Sequence, residues 1–412
     1  MPANSWAPTR RGEIRLMTTT YDEFRPPERL LMGAGPSNVH PRVLQAMTAS
    51  LLGHLDPDFL GAMDDVRSML RDVFFTKNGL TLPVSGTGTA GMEAAMVNML
   101  ETGDTMVMGT NGYFGMRLAE IARRAGAEVF EVDHPMGQPV SPDGIKAEVA
   151  KHDKVKLVAV VHAETSTGVV TPIPQIAKIA HDAGAILVVD AVTSLGGVEL
   201  RVDDWDIDVC YSGTQKCLGA PPGLAPITFG ERALATMDDR KTKVQSFYLD
   251  MTMLRDYWQQ RVYHHTAPIS MIYALREALR IALDEGMENR WLRHTQSAEI
   301  LRAGVEAMGL SIVANSGYRL PSLTAIRAPE GVAEADVRKY LLQKHSIELS
   351  GGLAGLAGQV WRVGLMGHNS NVTNVLRLLS ALEAALAEQG FEVPAGEGVA
   401  AAQRMARDFG AV

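Results

Sequence analysis

The fold is constrained most by an alternation of short apolar segments with amphipathic helical patterns between about residues 80 and 230. Helical patterns at 90–100, 115–125 and 174–183 lie between the apolar segments. Strands that are apolar on both faces need helices on both faces. The pattern therefore predicts an α/β fold with a mostly parallel, seven-stranded sheet. The predicted strands are 80–84, 105–109, 128–132, 157–161, 185–190, 209–211 and 225–229.

A smaller α+β domain is predicted after a long helical pattern that runs from residue 269 to about residue 286. Fewer strands and more amphipathic helices follow, and a chain of 412 residues is long enough for two cores. Its predicted helices are 288–308, 333–345 and 370–390, and its predicted strands are 311–313, 323–327, 347–349 and 360–364. We expect an N-terminal tail (1–27), a large domain (28–285), a small domain (286–395) and a C-terminal tail (396–412).

The charge balance and the cysteine count narrow the functional classes. The net charge of -8 argues against a general nucleic-acid surface, and no apolar run is long enough to span a bilayer. The two cysteines, Cys210 and Cys217, cannot build a disulfide framework and fit a reducing compartment. The N-terminus lacks the apolar core of a secretory signal. We therefore expect a cytoplasmic protein that binds neither nucleic acid nor membranes.

Lys216 lies in a turn of small and hydroxylated residues that ends in Pro221-Pro222-Gly223. A lysine that attacks a carbonyl must lose its proton, which a partly dry pocket favours. Upstream, Asp190 ends an apolar strand, where it is well placed to hold the ring nitrogen of a pyridinium cofactor. The two residues together indicate pyridoxal phosphate. The alternatives are a solvated surface lysine and an aspartate that caps the next helix.

A Gly/Thr turn that contains Thr87, Gly88 and Thr89 joins a predicted strand to a predicted helix. Helix N-termini expose unpaired amides that suit a phosphate, although an N-capped turn without a ligand fits the same sequence. After another strand, Tyr113 or Phe114 could stack on a planar ring or serve only in packing. The turn therefore predicts a phosphate site, and the aromatic pair predicts a stacking position.

Three further segments carry polar groups in positions that suit a ligand. Ser166 or Thr165 follows a strand and could bond a cofactor hydroxyl, or could belong to a satisfied turn. Tyr263 and Thr266 flank two histidines that point opposite ways in an extended segment, so phosphate suits this motif better than a metal, and we predict no metal site. Arg362 lies in an apolar strand and needs an anion, which is either a substrate carboxylate or an internal carboxylate.

Taken together, these residues resemble the class V, fold-type I pyridoxal phosphate-dependent aminotransferases, in particular the alanine–glyoxylate and serine–glyoxylate enzymes. The likeness runs from about residue 28 to 392 in the family's order, and it is specific as a set. The matching segments are Gly33-Ala34-Gly35-Pro36-Ser37-Asn38, Ser85-Gly86-Thr87-Gly88, Asn111-Gly112, Ser166-Thr167-Gly168, Asp190 with Ser194-Leu195-Gly196-Gly197, Ser212-Gly213-Thr214-Gln215-Lys216, Lys241-Thr242-Lys243, Phe247-Tyr248-Leu249-Asp250, Tyr263-His264-His265-Thr266, Arg319-Leu320-Pro321 and Arg362-Val363-Gly364.

The resemblance implies a role for each matched residue. Lys216 would carry the cofactor and move protons at the substrate's α carbon, and Asp190 would pair with the ring nitrogen. Phe114 takes the stacking position, where the family often has tryptophan, and Thr89 stands where it often has histidine. The other residues expected to bind the cofactor are Thr87, Gly88, Ser166, Val192 and Gln215, with Tyr263 and Thr266 reaching the phosphate of the neighbouring subunit of a homodimer. The residues expected to bind substrate are Gly35, Ser37, Asn38 and Arg362.

The function implied by this resemblance is ping-pong transfer of an amino group from alanine or serine to glyoxylate or a similar 2-oxo acid. Small donors fit because no second arginine for a dicarboxylate stands out in the sequence. Alternatives within the class are ureidoglycine–glyoxylate, 2-aminoethylphosphonate and hydroxykynurenine transamination. Cysteine desulfuration is disfavoured because both cysteines lie next to the lysine segment. A non-catalytic protein of the same fold is a further alternative.

Overall fold

The structure is a computed structural model that describes residues 21–411. The predicted N-terminal tail falls mainly on residues 1–20, which lie outside the described residues. The strands are β1 Leu30–Leu31, β2 Leu80–Ser85, β3 Thr105–Thr110, β4 Glu128–Asp133, β5 Leu157–Val161, β6 Ala163–Glu164, β7 Val169–Val170, β8 Ile186–Asp190, β9 Val209–Tyr211, β10 Leu224–Phe229, β11 Leu323–Arg327, β12 Ile347–Glu348, β13 Ser350–Gly351 and β14 Val360–Gly364.

Helices follow most strands of the main sheet and continue through the C-terminal region. They are α1 Pro41–Met47, α2 Pro57–Phe74, α3 Gly88–Met99, α4 Tyr113–Arg124, α5 Pro142–Val149, α6 Pro174–Asp182, α7 Glu231–Asp238, α8 Met251–Gln260, α9 Ile269–Glu285, α10 Met287–Ala307, α11 Glu334–His345, α12 Val372–Glu388 and α13 Glu397–Asp408. No helix in the described part of the chain is long and apolar enough to cross a membrane.

The seven predicted strands form one sheet in the order β2-β10-β9-β8-β5-β3-β4. All neighbours are parallel except β10, which runs antiparallel to both β2 and β9. The central strands β5 and β8 are buried along their whole length, which explains their unbroken apolar sequences. The predicted α/β architecture with a mostly parallel seven-stranded sheet is confirmed.

A second apolar core lies in the C-terminal region, around a three-stranded sheet of order β11-β14-β13. The short strand β1 pairs with β12 of this region, and Leu30 and Met32 belong to its core. The N-terminal segment that we expected to open the large domain therefore packs with the smaller core. The predicted strand at 311–313 is wrong, since it is reduced to an isolated bridge between Ile312 and Ile326.

The C-terminal tail predicted at 396–412 contains a packed helix, α13. Its small residues Gly398, Ala402 and Ala406 are buried, one helical turn apart. A Cβ atom added to Gly304 of α10 would lie 2.8 Å from the Gly398 carbonyl oxygen, so the two helices meet at a close backbone approach. Val399 and Met405 of the same helix pack against the second core. The residues predicted as a C-terminal tail therefore form a packed amphipathic helix.

Candidate active site

The candidate active site lies at the carboxyl ends of parallel strands, where ligands bind in open α/β sheets. Asp190 is the last residue of β8 and is the register partner of Tyr211, the last residue of the parallel strand β9. The Tyr211 hydroxyl donates to Asp190 Oδ2 at 2.9 Å, and the Val192 amide donates to Asp190 Oδ1 at 2.8 Å. Burial raises the pKa of Asp190 to about 6. The carboxylate is thus oriented by two hydrogen bonds and forms no ion pair within residues 21–411.

Lys216 lies in the turn that follows β9 and is only 9% exposed, so the interpretation as a surface lysine does not hold. Burial, reinforced by the charge of Arg362, lowers the pKa of its ammonium group to about 8. The Lys216 amine donates to the Ala34 carbonyl oxygen. A Cβ atom added to Gly35 would lie 2.6 Å from Lys216 Nζ, and Gly35 has φ +104°. The 34–35 backbone therefore forms one wall around the amine and requires glycine there.

Two glycines let the start of α3 approach the lysine turn closely. A Cβ atom added to Gly88, the first residue of α3, would lie 3.0 Å from Val192 Cγ2, and one added to Gly213 would lie 3.4 Å from the Cα atom of Gly88. The N-cap residue Thr87 makes no side-chain capping bond, so the first amides of the helix have no partner inside it. The buried Gln215 Oε1 also has no hydrogen-bond partner. Thr87 and Thr89 are exposed at the rim.

Phe114 and Ser166 meet at the N-terminus of α4. The Ser166 hydroxyl accepts a hydrogen bond from the Tyr113 amide at 2.9 Å and donates to Glu164 Oε1 at 2.6 Å. Phe114 is half-buried, and the guanidinium carbon of Arg117 lies 5.1 Å from the centroid of its ring. Ser166 therefore positions this helix, and it can accept one further hydrogen bond.

Arg362 of β14 is 7% exposed and donates from Nε to the Gly351 carbonyl at 2.7 Å and from Nη1 to the Thr165 carbonyl at 3.3 Å. Among residues 21–411 it forms no ion pair, which removes the internal salt bridge as an explanation. Burial lowers the pKa of Arg362, and the nearby Glu164 charge opposes this effect. A buried arginine with only carbonyl partners is suited to a carboxylate.

The N-terminal segment contributes Ser37 to the site but not Asn38. The Ser37 amide donates to the Gln215 carbonyl at 3.1 Å, and the Ser37 hydroxyl donates to the Lys216 carbonyl at 3.3 Å, so this residue braces the lysine turn. The Asn38 side chain bonds the Arg29 carbonyl, the Leu31 amide and Asn369 instead. Asn38 therefore ties the N-terminal segment together, and its contacts do not support the predicted role in substrate binding.

Tyr263 and Thr266 are exposed on the segment between α8 and α9, with Tyr263 59% exposed. The contacts within one chain do not bring these two side chains to Lys216. Between them, His265 Nε2 lies 2.8 Å from Ser85 Oγ, at the end of β2 just before the Gly/Thr turn. The segment is therefore anchored next to that turn, while the Tyr263 ring lies 5.4 Å from the His54 ring and the Thr266 side chain is exposed.

The family profile of the class V aminotransferases matches residues 29–378. The chain belongs to this family.

This class V aminotransferase aligns with named relatives over 80% or more of their own length. An alanine–glyoxylate aminotransferase of Mus musculus is 42% identical over 332 residues, which is 79% of this chain and 80% of the relative. The crystal structure of an alanine–glyoxylate aminotransferase from Nostoc sp. has a TM-score of 0.88 at 48% identity and covers 89% of this chain and 97% of its own. That of a ureidoglycine–glyoxylate aminotransferase from Bacillus subtilis has a TM-score of 0.92 at 40% identity, with 94% and 100% covered.

The residues of this class V aminotransferase fit pyridoxal phosphate. A phosphate suits the first amides of α3, which no side chain caps, and the unpartnered Gln215 beside them. Asp190 offers a buried carboxylate for a protonated ring nitrogen, and Lys216 offers an amine with a lowered pKa. By contrast, no group of three or more His, Cys, Asp or Glu side chains in the described residues could hold a metal ion.

Two residues of the site, Tyr211 and Glu164, were not predicted to have a role there. Tyr211 supports Asp190, and it could have been found because both residues end adjacent predicted strands. Glu164 is fully buried between Ser166 and α4, and its signal was a carboxylate just after an apolar strand. Such a residue must be partnered, because an isolated buried charge is costly.

Proposed function

We propose that the protein is a pyridoxal phosphate-dependent aminotransferase that moves the amino group of alanine or serine to glyoxylate or a similar 2-oxo acid. The observation that carries this proposal is the buried Lys216, whose amine has a pKa of about 8 and lies near both Asp190 and Arg362. When bound, the cofactor supplies an electron sink for the bonds around the substrate's α carbon. The relatives that share this reaction name support the same assignment.

Each residue has a defined task in this reaction. Lys216 would hold the cofactor, and its amine would carry a proton to and from the substrate's α carbon. The lowered pKa favours the neutral amine that both roles require. Asp190, oriented by Tyr211 and the Val192 amide, would keep the ring nitrogen protonated. Phe114 would offer its ring for stacking on the cofactor.

The substrate side of the site supports small donors. Arg362 binds the α-carboxylate, and it is the arginine whose charge acts most strongly on Lys216. One arginine matches a substrate with one carboxylate. The backbone at Ala34 and Gly35 lies against the amine, which restricts the space for the substrate's side chain.

Purified protein incubated with pyridoxal phosphate and reduced with borohydride should carry the cofactor on the peptide that contains Lys216. A panel of amino donors with glyoxylate and pyruvate then measures the preferred pair. A Lys216→Ala protein that turns over normally would refute the assignment, and failure to reduce the cofactor onto Lys216 would favour a non-catalytic protein of this fold.

Ureidoglycine–glyoxylate transamination is the second candidate, because the Bacillus subtilis enzyme of that name aligns over 94% of this chain. The same donor panel, extended with ureidoglycine, separates the two activities. Cysteine desulfuration is not favoured, because burial raises the pKa of the Cys217 thiol to about 11 and raises that of Cys210 as well. Buried thiols of this kind are poor nucleophiles.

We also propose a homodimer in which Tyr263 and Thr266 bind the cofactor phosphate of the neighbouring subunit, in the cytoplasm and without a nucleic-acid or membrane partner. Large apolar side chains are exposed around this segment, including Phe247, Tyr248 and Val262, which favours a protein partner there. Sedimentation of the purified protein measures its oligomeric state. Tyr263→Phe should weaken cofactor binding in the dimer, whereas a monomer with full cofactor affinity would contradict the proposal.

A further inference from the structure

Glu164, on the short strand β6, is a carboxylate with no exposed surface. Its Oε1 atom accepts hydrogen bonds from the Ser166 amide at 2.9 Å and from the Ser166 hydroxyl at 2.6 Å. Its Oε2 atom accepts from the Phe114 amide at 3.2 Å and from the Gly115 amide at 3.3 Å. Within the described part of the chain it forms no ion pair. Burial raises the pKa of this carboxyl group, and the hydrogen bonds from Ser166, Gly115 and Phe114 oppose that effect. All four of these hydrogen bonds come from N–H or O–H donors, which suit a carboxylate.

These contacts cap helix α4 from a residue 50 positions away. The residue before the helix, Gly112, has no side chain to do so, and the first three amides of α4 are taken by Ser166 Oγ and Glu164 Oε2. A Cβ atom added to Gly112 would lie 2.5 Å from Glu164 Cγ, so the carboxylate occupies the place of a local cap. The backbone that carries the Phe114 ring is therefore set by Glu164.

The next residue connects Glu164 to the substrate side of the site. The Thr165 carbonyl accepts a hydrogen bond from Arg362 Nη1, and Thr165 Oγ1 lies 2.5 Å from Thr193 Oγ1 in the turn after Asp190. The Glu164 charge acts on Arg362 and on Asp190, raising the pKa of each. The 164–166 turn thus lies between the stacking residue, the arginine and the aspartate.

We propose that Glu164 is a positioning residue that acts as an ionised carboxylate and sets Phe114 for the cofactor ring and Arg362 for the substrate carboxylate together. This inference rests on the proposed aminotransferase function. Glutamine cannot replace the carboxylate, because its NH2 group would face N–H donors whichever way the amide turned. Aspartate keeps the charge, but its side chain is one methylene too short to hold both ends of the turn.

The test compares Glu164→Gln and Glu164→Asp with Glu101→Gln. Glu101 is the control because its carboxylate also accepts hydrogen bonds from two backbone amides, those of Lys241 and Thr242, and from the Thr242 hydroxyl. It lies just after the C-terminal end of α3, away from the candidate site. Glu164→Gln should weaken pyridoxal phosphate binding about tenfold, as expected for loss of a helix cap. KM for both substrates should rise, and the pH–rate profile should move to lower pH, because removing a negative charge lowers the pKa of every nearby group. Glu101→Gln should change none of these.

Hydrogen exchange of the cofactor-free proteins provides a readout that does not depend on the reaction. The amides of residues 113–115 should exchange faster in Glu164→Gln than in wild type, with Glu164→Asp between them. Unchanged exchange of these amides would overturn the proposal. So would a cofactor affinity and KM values within about twofold of wild type, together with an unshifted pH–rate profile. If Glu164→Gln does not fold, the same measurements on Glu164→Asp decide. A wild-type protein that fails to take up pyridoxal phosphate while the exchange difference persists would instead contradict the proposed function.

Discussion

Replacing Lys216 with methionine should stabilise the cofactor-free protein at neutral pH. Methionine keeps an unbranched side chain of similar length but removes the ammonium group, which is nearly buried and partnered by a single carbonyl. Burial places the pKa of Lys216 at about 8, below its ordinary value of 10.5. Because one pKa unit corresponds to about 1.4 kcal/mol, the buried charge costs about 3 kcal/mol of unfolding free energy at pH 7.

The sign of the pH dependence follows from the protons bound in each state. Between the folded pKa of about 8 and the unfolded value of 10.5, the unfolded chain binds more protons at Lys216, so this residue makes stability rise with pH. The cost therefore falls below about 1 kcal/mol near pH 10. Cys210 and Tyr211 have raised pKa values and act in the opposite direction, but they are present in both proteins and cancel in the comparison. Burial also raises the pKa of Cys217, and the Lys216 charge opposes this effect, so the loss of stability due to Cys217 at high pH is larger in the variant and adds to the expected narrowing of the difference.

Urea denaturation of both cofactor-free proteins at about pH 7 and about pH 10 measures the difference in unfolding free energy. We expect Lys216→Met to be more stable by about 3 kcal/mol at the lower pH and by less than about 1 kcal/mol at the higher pH. Lys154→Met, at an exposed lysine, serves as the control and should show no such trend. An equal difference at both pH values, or a less stable variant at pH 7, would refute the argument from burial.

Three further outcomes follow from the geometry. Gly35→Ala should slow attachment of the cofactor to Lys216 by about tenfold or more, because its Cβ would lie 2.6 Å from the amine. The visible absorbance of the attached cofactor measures this rate. Gly53→Ala is the control, because a Cβ atom added there meets nothing within 4 Å. Asp190→Asn should keep the cofactor attached but lower kcat by roughly a hundredfold, since a neutral amide cannot hold a protonated ring nitrogen; an unchanged kcat would contradict this. His162 is buried with a pKa lowered to about 4, so this residue alone should remove about 3 kcal/mol of stability as pH drops from 6.5 towards 4. Urea denaturation should show a loss smaller by about that amount in His162→Phe, and an equal loss in both proteins would contradict this.

The main sheet could be predicted because its strands are apolar runs that can be recognised from their length and spacing alone, whichever strands they pair with. The antiparallel direction of β10 could not, since strand direction depends on pairing with β2 and β9 at distant positions. The same limit explains α13, whose alanines and glycine become a helix face only against α10. Strand β1 likewise could not be recognised, because it consists of two residues that pair with β12, more than 300 residues away.

Within the candidate site, the chain by itself determined which chemistry was possible. Lys216, Asp190 and Arg362 could be singled out because a charged side chain beside apolar sequence needs a partner. Tertiary structure decided which partners they have. It showed that Arg362 has no carboxylate partner among residues 21–411, that Asn38 bonds the backbone of residues 29 and 31, and that Glu164 caps α4. The physical reason is that residue type is local, whereas burial and hydrogen-bond partners arise only when distant segments meet.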